Sequence, residues 1–114
     1  MRKHKDISEC DTVIAFGIDG VVTKERVRYV YKSLERCNSV YVGLITTQIP
    51  LFTKFLVDEW DLSPNFVEAG YFRTYALASY KLEYSNKELI YVGSTILENL
   101  AAELTGWRYV WRNK

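Results

Sequence analysis

The sequence predicts an α/β domain: a doubly wound, mostly parallel sheet of five strands with helices on both faces, in three layers. Three observations predict it. Short, nearly continuous apolar runs rich in Val, Ile and Tyr lie at residues 12–18 (TVIAFGI), 39–46 (SVYVGLIT) and 88–94 (ELIYVGS), the pattern of strands covered on both faces. Segments of helical periodicity separate these runs, and alternation of strand with helix favours parallel strands joined by right-handed crossovers. The length, 114 residues, suits one domain that buries on the order of two-thirds of its unfolded surface without staples. Residues 1–114 therefore read as a single domain, with residues 1–11 a loosely ordered start.

Each element has its own signal. After the first strand, residues 24–36 place Val27, Val30, Tyr31 and Leu34 at i, i+3, i+4, i+7, one face for the sheet, with Thr23 as N-cap. After the second strand, Pro50 suits the first turn of a helix running to about residue 61. Phe52, Phe55, Leu56 and Trp60 line one side of it. Residues 66–70 (FVEAG) and 107–112 (WRYVWR) are short or alternate polar with apolar, as edge strands do. A third helix spans residues 72–82 and a fourth residues 96–104, with Gly106 where a left-handed C-cap falls.

Composition excludes several classes. With 15 basic and 14 acidic residues the net charge is +1, so no global field attracts nucleic acid or an acidic substrate. No apolar run reaches the roughly 18–20 residues of a membrane span, and the start MRKHKDISECD lacks the apolar middle of a signal peptide. The expectation is a cytoplasmic protein with no membrane partner. Cys10 and Cys37 are too few for a disulfide scaffold or zinc site and are expected as free thiols. His4 has no second histidine with which to hold a metal. Arg2, Lys3, Lys5 and the tail WRYVWRNK (107–114) interleave basic and aromatic residues in a way that suits a nucleic-acid strand. Against this, a strand puts Trp107, Tyr109 and Trp111 on one face and Arg108 and Arg112 on the other, as when an edge strand packs its aromatics on a helix. Nucleic acid is the weaker alternative.

Ligands of such sheets bind outside the carboxyl ends of the strands, where the strand order reverses. The loops of interest follow Ile18, Thr46, Gly70, Ser94 and Arg112. In AFGIDGVVT (15–23) an apolar run stops at an acid and a glycine, and a threonine follows. GIDGVVT after the first strand, LITT after the second and IYVGSTILENLAA after the fourth together resemble the haloacid dehalogenase-like (HAD) phosphatases, over residues 12–111 and in the family's order of motifs. The resemblance implies a Rossmann-like HAD core, here without a cap. It also makes the first two strands neighbours, so that Cys10 and Cys37 approach each other at the opposite end of the sheet.

In that family the first strand ends in Asp-x-Asp-Gly-x-x-Thr, the first acid being the phosphorylated nucleophile and the second the general acid-base. Here the second acid is Asp19, with Gly20 and Thr23 matching, and the nucleophile position holds Gly17. The phosphoryl-binding Ser or Thr of the second motif matches Thr46. The lysine of the third falls at residues 71–73, where Arg73 is the one cation. The Gly-Asp of the fourth becomes Gly93-Ser94, with Glu98 as its second acid. Lys81 lies two turns inside its helix, toward the opposite end of the sheet, and reads as a solvated surface residue.

Phosphoryl transfer of this type needs a carboxylate nucleophile and a divalent metal, and Gly17 and Ser94 supply neither. The expectation is a noncatalytic domain with no strong magnesium site, acting in binding, regulation or assembly. A weak phosphate or anion pocket remains, formed by Asp19, Thr46, Thr47, Arg73 and Ser94 with the amino ends of the helices after Thr23 and Thr95. The alternative is a phosphohydrolase with a displaced nucleophile, working with magnesium. Each residue also has a plain reading: Asp19-Gly20 as a turn, Thr46 satisfying backbone, and Thr95-Ile96-Leu97-Glu98 as a capping box. The short loops leave little material for a flap or cap. Tyr29, off the first helix's apolar stripe, and the aromatics near Trp111 point to a homodimer through the first helix or the C-terminal edge, or to another protein partner.

Overall fold

A computed structural model of the chain describes residues 5–70 and 73–111. Arg2, Lys3, His4, the 71–72 part of the third motif, Arg112 and the last two residues lie outside the described residues, as does the side chain of Trp111. Five parallel strands, β1 (Thr12–Phe16), β2 (Val40–Thr46), β3 (Phe66–Ala69), β4 (Glu88–Gly93) and β5 (Arg108–Trp111), form one sheet in the order β3-β2-β1-β4-β5. The chain runs outward from β1 to β3, then crosses back to β4 on the other side of β1. The order therefore reverses between β1 and β4, where Phe16 pairs with Val92.

Helices cover both faces, completing three layers of Rossmann-like type. On one face α1 (Ile18–Thr23), α2 (Glu25–Glu35) and α3 (Pro50–Glu59) enclose a core of Phe16, Ile18, Val21, Tyr31, Val42, Leu44 and Leu62. On the other, α4 (Arg73–Glu83) and α5 (Ile96–Thr105) pack side by side over Val13, Ala15, Ile45, Leu77, Tyr91 and Trp107. The central strands β1, β2 and β4 send side chains into both cores, which explains why their sequences lack strict polar alternation. No helix among the described residues is long and apolar enough to cross a membrane.

Several expectations need correction. The first apolar run leaves the sheet at Gly17, and the next six residues form α1 instead of extending the strand. Ile18 and Val21, both buried, stand one helical turn apart, a spacing that only a helix can turn to one side. Asp19-Gly20 is thus the first turn of a helix and no loop turn. Thr23 is not the N-cap of the following helix either: its hydroxyl donates to Asp19 O at 2.7 Å, and Lys24 takes the cap position of α2.

Val27, Tyr31 and Leu34 face the core as expected, but Val30 is half out in solvent. In α3 the buried stripe is Thr53, Leu56 and Val57, and the stacked pair Phe52–Phe55 faces outward. From Lys5 on the start makes contacts with the rest of the fold. Ile7–Glu9 form a 3-10 turn, Lys5 Nζ donates to Leu34 O and Val40 O, and Cys10 is buried. Burial pulls the Lys5 ammonium below its usual range.

At the C-terminal edge Gly106 closes α5 with φ 82°, the left-handed cap read from the sequence. Lys81 is half-buried, its aliphatic stem lying along Gly106, so it is a packing residue more than a solvated one. Trp107 precedes β5, is buried, and donates its indole N–H to Leu77 O at 2.7 Å. Cys10 and Cys37 are free thiols with separate partners: Cys10 Sγ lies by Asp6 O and Asn38 O, Cys37 Sγ by Ser39 Oγ.

Candidate functional site

The carboxyl ends of β1, β2 and β4 converge on a small cleft at the reversal point. Gly17, Ile18, Asp19, Gly20, Thr46, Thr47, Arg73, Ser94, Thr95 and Glu98 all border it, and its volume is about 90 Å³. Every candidate residue read from the sequence is therefore brought together. Lys81 lies in the last turn of α4, away from the cleft.

Glu98 dominates the geometry. It sits at the third position of α5, only 8% exposed, and its carboxylate turns back under the strand ends. Oε1 accepts from Ser94 N at 3.0 Å, Thr95 N at 3.2 Å and Thr95 Oγ1 at 3.0 Å, while Thr95 Oγ1 accepts from Glu98 N at 3.1 Å. This is the capping box read from the sequence, with one further amide added. Oε2 faces the Tyr91 hydroxyl at 3.1 Å, and that hydroxyl also lies 3.0 Å from Ile45 O. Burial, and after it the Glu98 carboxylate, pushes the Tyr91 phenol far above its usual range.

Glu98 also fills the room above both glycines. A Cβ on Gly17 would lie 2.6 Å from Glu98 Oε2; one on Gly93 would lie 2.7 Å from Glu98 Oε1 and from Tyr109 Oη. Gly17 itself has an ordinary extended backbone, φ −71° and ψ 133°, which any residue adopts. Its small size answers to Glu98, and conformational freedom has no part in it.

The other candidates occupy more ordinary positions. Asp19 is exposed in the first turn of α1, where a carboxylate suits the helix dipole, and its carboxylate makes no hydrogen bond or ion pair among the described residues. Thr46, 7% exposed, accepts from Gln48 N at 3.1 Å, so it satisfies the backbone at the strand end. Thr47 is exposed and Ser94 half-buried. Arg73 opens α4 beside the cleft, and its Nε is buried without an acceptor. Beyond Thr46 and Arg73 a wider groove of about 430 Å³ runs between β3 and α4, bordered by Glu68, Tyr75, Tyr80, Glu83 and Tyr84.

Two features of the sequence reading change. Around the head of α5 the amides of Ser94, Thr95 and Glu98 are taken by the Glu98 carboxylate and the Thr95 hydroxyl and are not open to an anion in the cleft. The helix that starts at the cleft after β1 is α1, and α2 begins one helix later. Sequence reasoning missed Tyr91. Its signal is a phenol inside an otherwise apolar run, IYVGS, since a buried tyrosine needs a partner for its hydroxyl. It missed Tyr109 too, whose hydroxyl donates to Thr95 O at 3.2 Å and whose ring meets that of Tyr91 edge-on.

Of the basic-aromatic features, the described members Lys5, Trp107, Arg108 and Tyr109 make contacts within the fold. Lys5 and Trp107 are tied as described above, and Arg108 pairs with Glu88 at 3.6 Å. No family model, no curated protein and no solved structure matches the chain.

Proposed function

We propose that this chain is a noncatalytic HAD-like domain, a pseudophosphatase that serves as a binding, regulatory or assembly module. One observation carries the reading. The position where the resembled family holds its nucleophilic carboxylate is Gly17, and the space above it is filled by Glu98 Oε2, at 2.6 Å from where a side chain would begin. Glu98 is a poor substitute for that nucleophile. Its oxygens lie within hydrogen-bond distance of Ser94 N, Thr95 N, Thr95 Oγ1 and Tyr91 Oη, and a carboxylate so surrounded has to break bonds before it attacks.

The residues present do not fit the family's magnesium ion. Such an ion takes one or two carboxylates plus waters and phosphate in near-octahedral order. Asp19 is one available oxygen donor, Gly17 is none, Ser94 replaces an acid, and Glu98 is committed to its cap. Among the described residues no three His, Cys, Asp or Glu side chains form a cluster able to hold a metal. An oxyanion finds Arg73 Nε, a buried donor lacking an acceptor, with Thr46, Thr47 and Ser94 nearby. Two carboxylates against one guanidinium keep that affinity weak, on the order of millimolar.

The alternative reading, a phosphohydrolase with a displaced nucleophile, rests on the same proximity of Glu98 to Gly17. One assay separates the two. With an aryl phosphate and magnesium the protein is expected to show no turnover above background. Turnover that disappears in Glu98→Gln or Asp19→Ala refutes the noncatalytic reading.

A further inference from the structure

The side of the molecule formed by α4 and α5 carries an apolar surface that the fold does not use. Helix α5 packs on the sheet through small or satisfied residues: Glu98, Ala101, Ala102 and the half-buried Thr105. Its large apolar residues, Ile96, Leu97, Leu100 and Leu104, point the other way. Their positions at 100° per residue fall within about 100° of arc, a stripe of the width that ordinarily faces a core. On α4, Tyr75 and Leu82 stand two turns apart and are likewise exposed, with Ala78 between them. Because the two helices lie side by side on one sheet face, the stripes are neighbours. The exposure of these six large residues runs from 47% at Leu100 to 85% at Leu82.

We infer that this surface is the interface of a twofold homodimer. The area argues for a second copy of the chain. Six large side chains exposed to that degree present on the order of 700 Å² per copy, close to the roughly 800 Å² that each partner contributes to a stable complex. A polar rim supplies the remainder. The pattern is also self-complementary. Ile96 and Leu104 lie four residues to either side of Leu100, so two α5 helices crossing antiparallel on a twofold axis bring Leu100 against Leu100 and Ile96 of one copy against Leu104 of the other, with Leu97 flanking the seam. An isologous contact requires this kind of symmetry. The interface thus lies on α4 and α5, and not on the first helix or the C-terminal edge that the sequence pointed to. It is independent of the anion pocket at the strand ends.

Light scattering coupled to size exclusion, from 1 to 100 µM protein, tests the inference. The full chain is expected to elute with twice the monomer mass, and Leu97→Glu/Leu104→Glu with the monomer mass. Both substituted residues are exposed in the monomer, so the variant should keep its circular dichroism spectrum; a variant that loses it is replaced by Leu100→Ser. Phe52→Ser/Phe55→Ser, on the opposite face, is expected to remain dimeric. Leu100→Cys in a Cys37→Ser background should cross-link to a covalent dimer on mild oxidation. A chain that stays monomeric to 100 µM overturns the inference, and so does a dimer that persists in the glutamate variant or dissociates in the Phe52/Phe55 variant.

Discussion

Adding one methyl group at Gly17 offers a direct test of the Glu98 geometry. The backbone there is extended, so alanine carries no conformational penalty, and by restricting the unfolded chain it stabilises such sites by about 0.4–1 kcal/mol. Opposing this, the new Cβ would stand 2.6 Å from Glu98 Oε2. The carboxylate cannot swing aside freely, because Oε1 is held by two amides and a hydroxyl. Overpacking against such a held group costs about 1–3 kcal/mol, so Gly17→Ala alone should destabilise by about 1.5 kcal/mol. Glu98→Ala removes the capping partner and leaves the amides of Ser94 and Thr95 unsatisfied, a loss of about 2–3 kcal/mol. In that background Gly17→Ala should become neutral or stabilising by about 0.5 kcal/mol. The double-mutant cycle is therefore expected to give a coupling energy of about 2 kcal/mol. Urea unfolding monitored by tryptophan fluorescence reads it, since 1.5 kcal/mol moves the midpoint by on the order of 1 M. A coupling energy below about 0.5 kcal/mol refutes the contact, and with it the claim that Glu98 fills the space above Gly17 on which the proposed function rests.

Two further perturbations follow from the same core. Tyr91 has its folded-state pKa raised above the unfolded value of 10.0, so its contribution to stability is intact below pH 10 and is lost as pH rises further: the unfolded phenol releases its proton while the folded one keeps it. Stability should fall above pH 10 more steeply in the native protein than in Tyr91→Phe, by up to about 1.4 kcal/mol per pH unit; equal slopes in chemical denaturation at pH 9.5–11 would contradict the placement of that hydroxyl. At Gly43, in the middle of β2, an added Cβ would meet the Phe66 carbonyl oxygen at 2.3 Å and the Phe66 ring at 2.5 Å. Backbone cannot yield as a side-chain tip does, so Gly43→Ala should cost about 3 kcal/mol and lower Tm by roughly 12–24 °C; a Tm within a few degrees of the unsubstituted protein would show that β2 and β3 are not so closely apposed.

Much of this architecture is written locally along the chain. The three apolar runs became β1, β2 and β4, the short runs became the edges β3 and β5, and Pro50, Thr95 and Gly106 mark helix ends where their backbone preferences require. These signals need only neighbouring residues: burial on both faces removes polar alternation, and a capping box closes within four residues. The gathering of Gly17, Asp19, Thr46, Arg73 and Ser94 at one cleft follows from parallel topology, which sets all strand ends on the same side.

What the linear order could not express is which side of a helix meets the sheet and which atoms fill a shared space. Phe52, Phe55 and Leu56 read as core-facing; Leu56 does pack on the core, but with Thr53 and Val57, while Phe52 and Phe55 are exposed. In α5 the alanines pack inward and the leucines are left outside, because small residues allow the helix to sit close to β4 while Glu98 and Tyr91 take up the space beneath it. The same holds for the central feature of the site. Gly17 and Glu98 are 81 positions apart in the sequence, so nothing local links the glycine to the carboxylate that fills the room above it. Only the pairing of β1 with β4 brings the two together. The tertiary structure thereby joins two residues that the sequence reads separately into one mutual packing constraint.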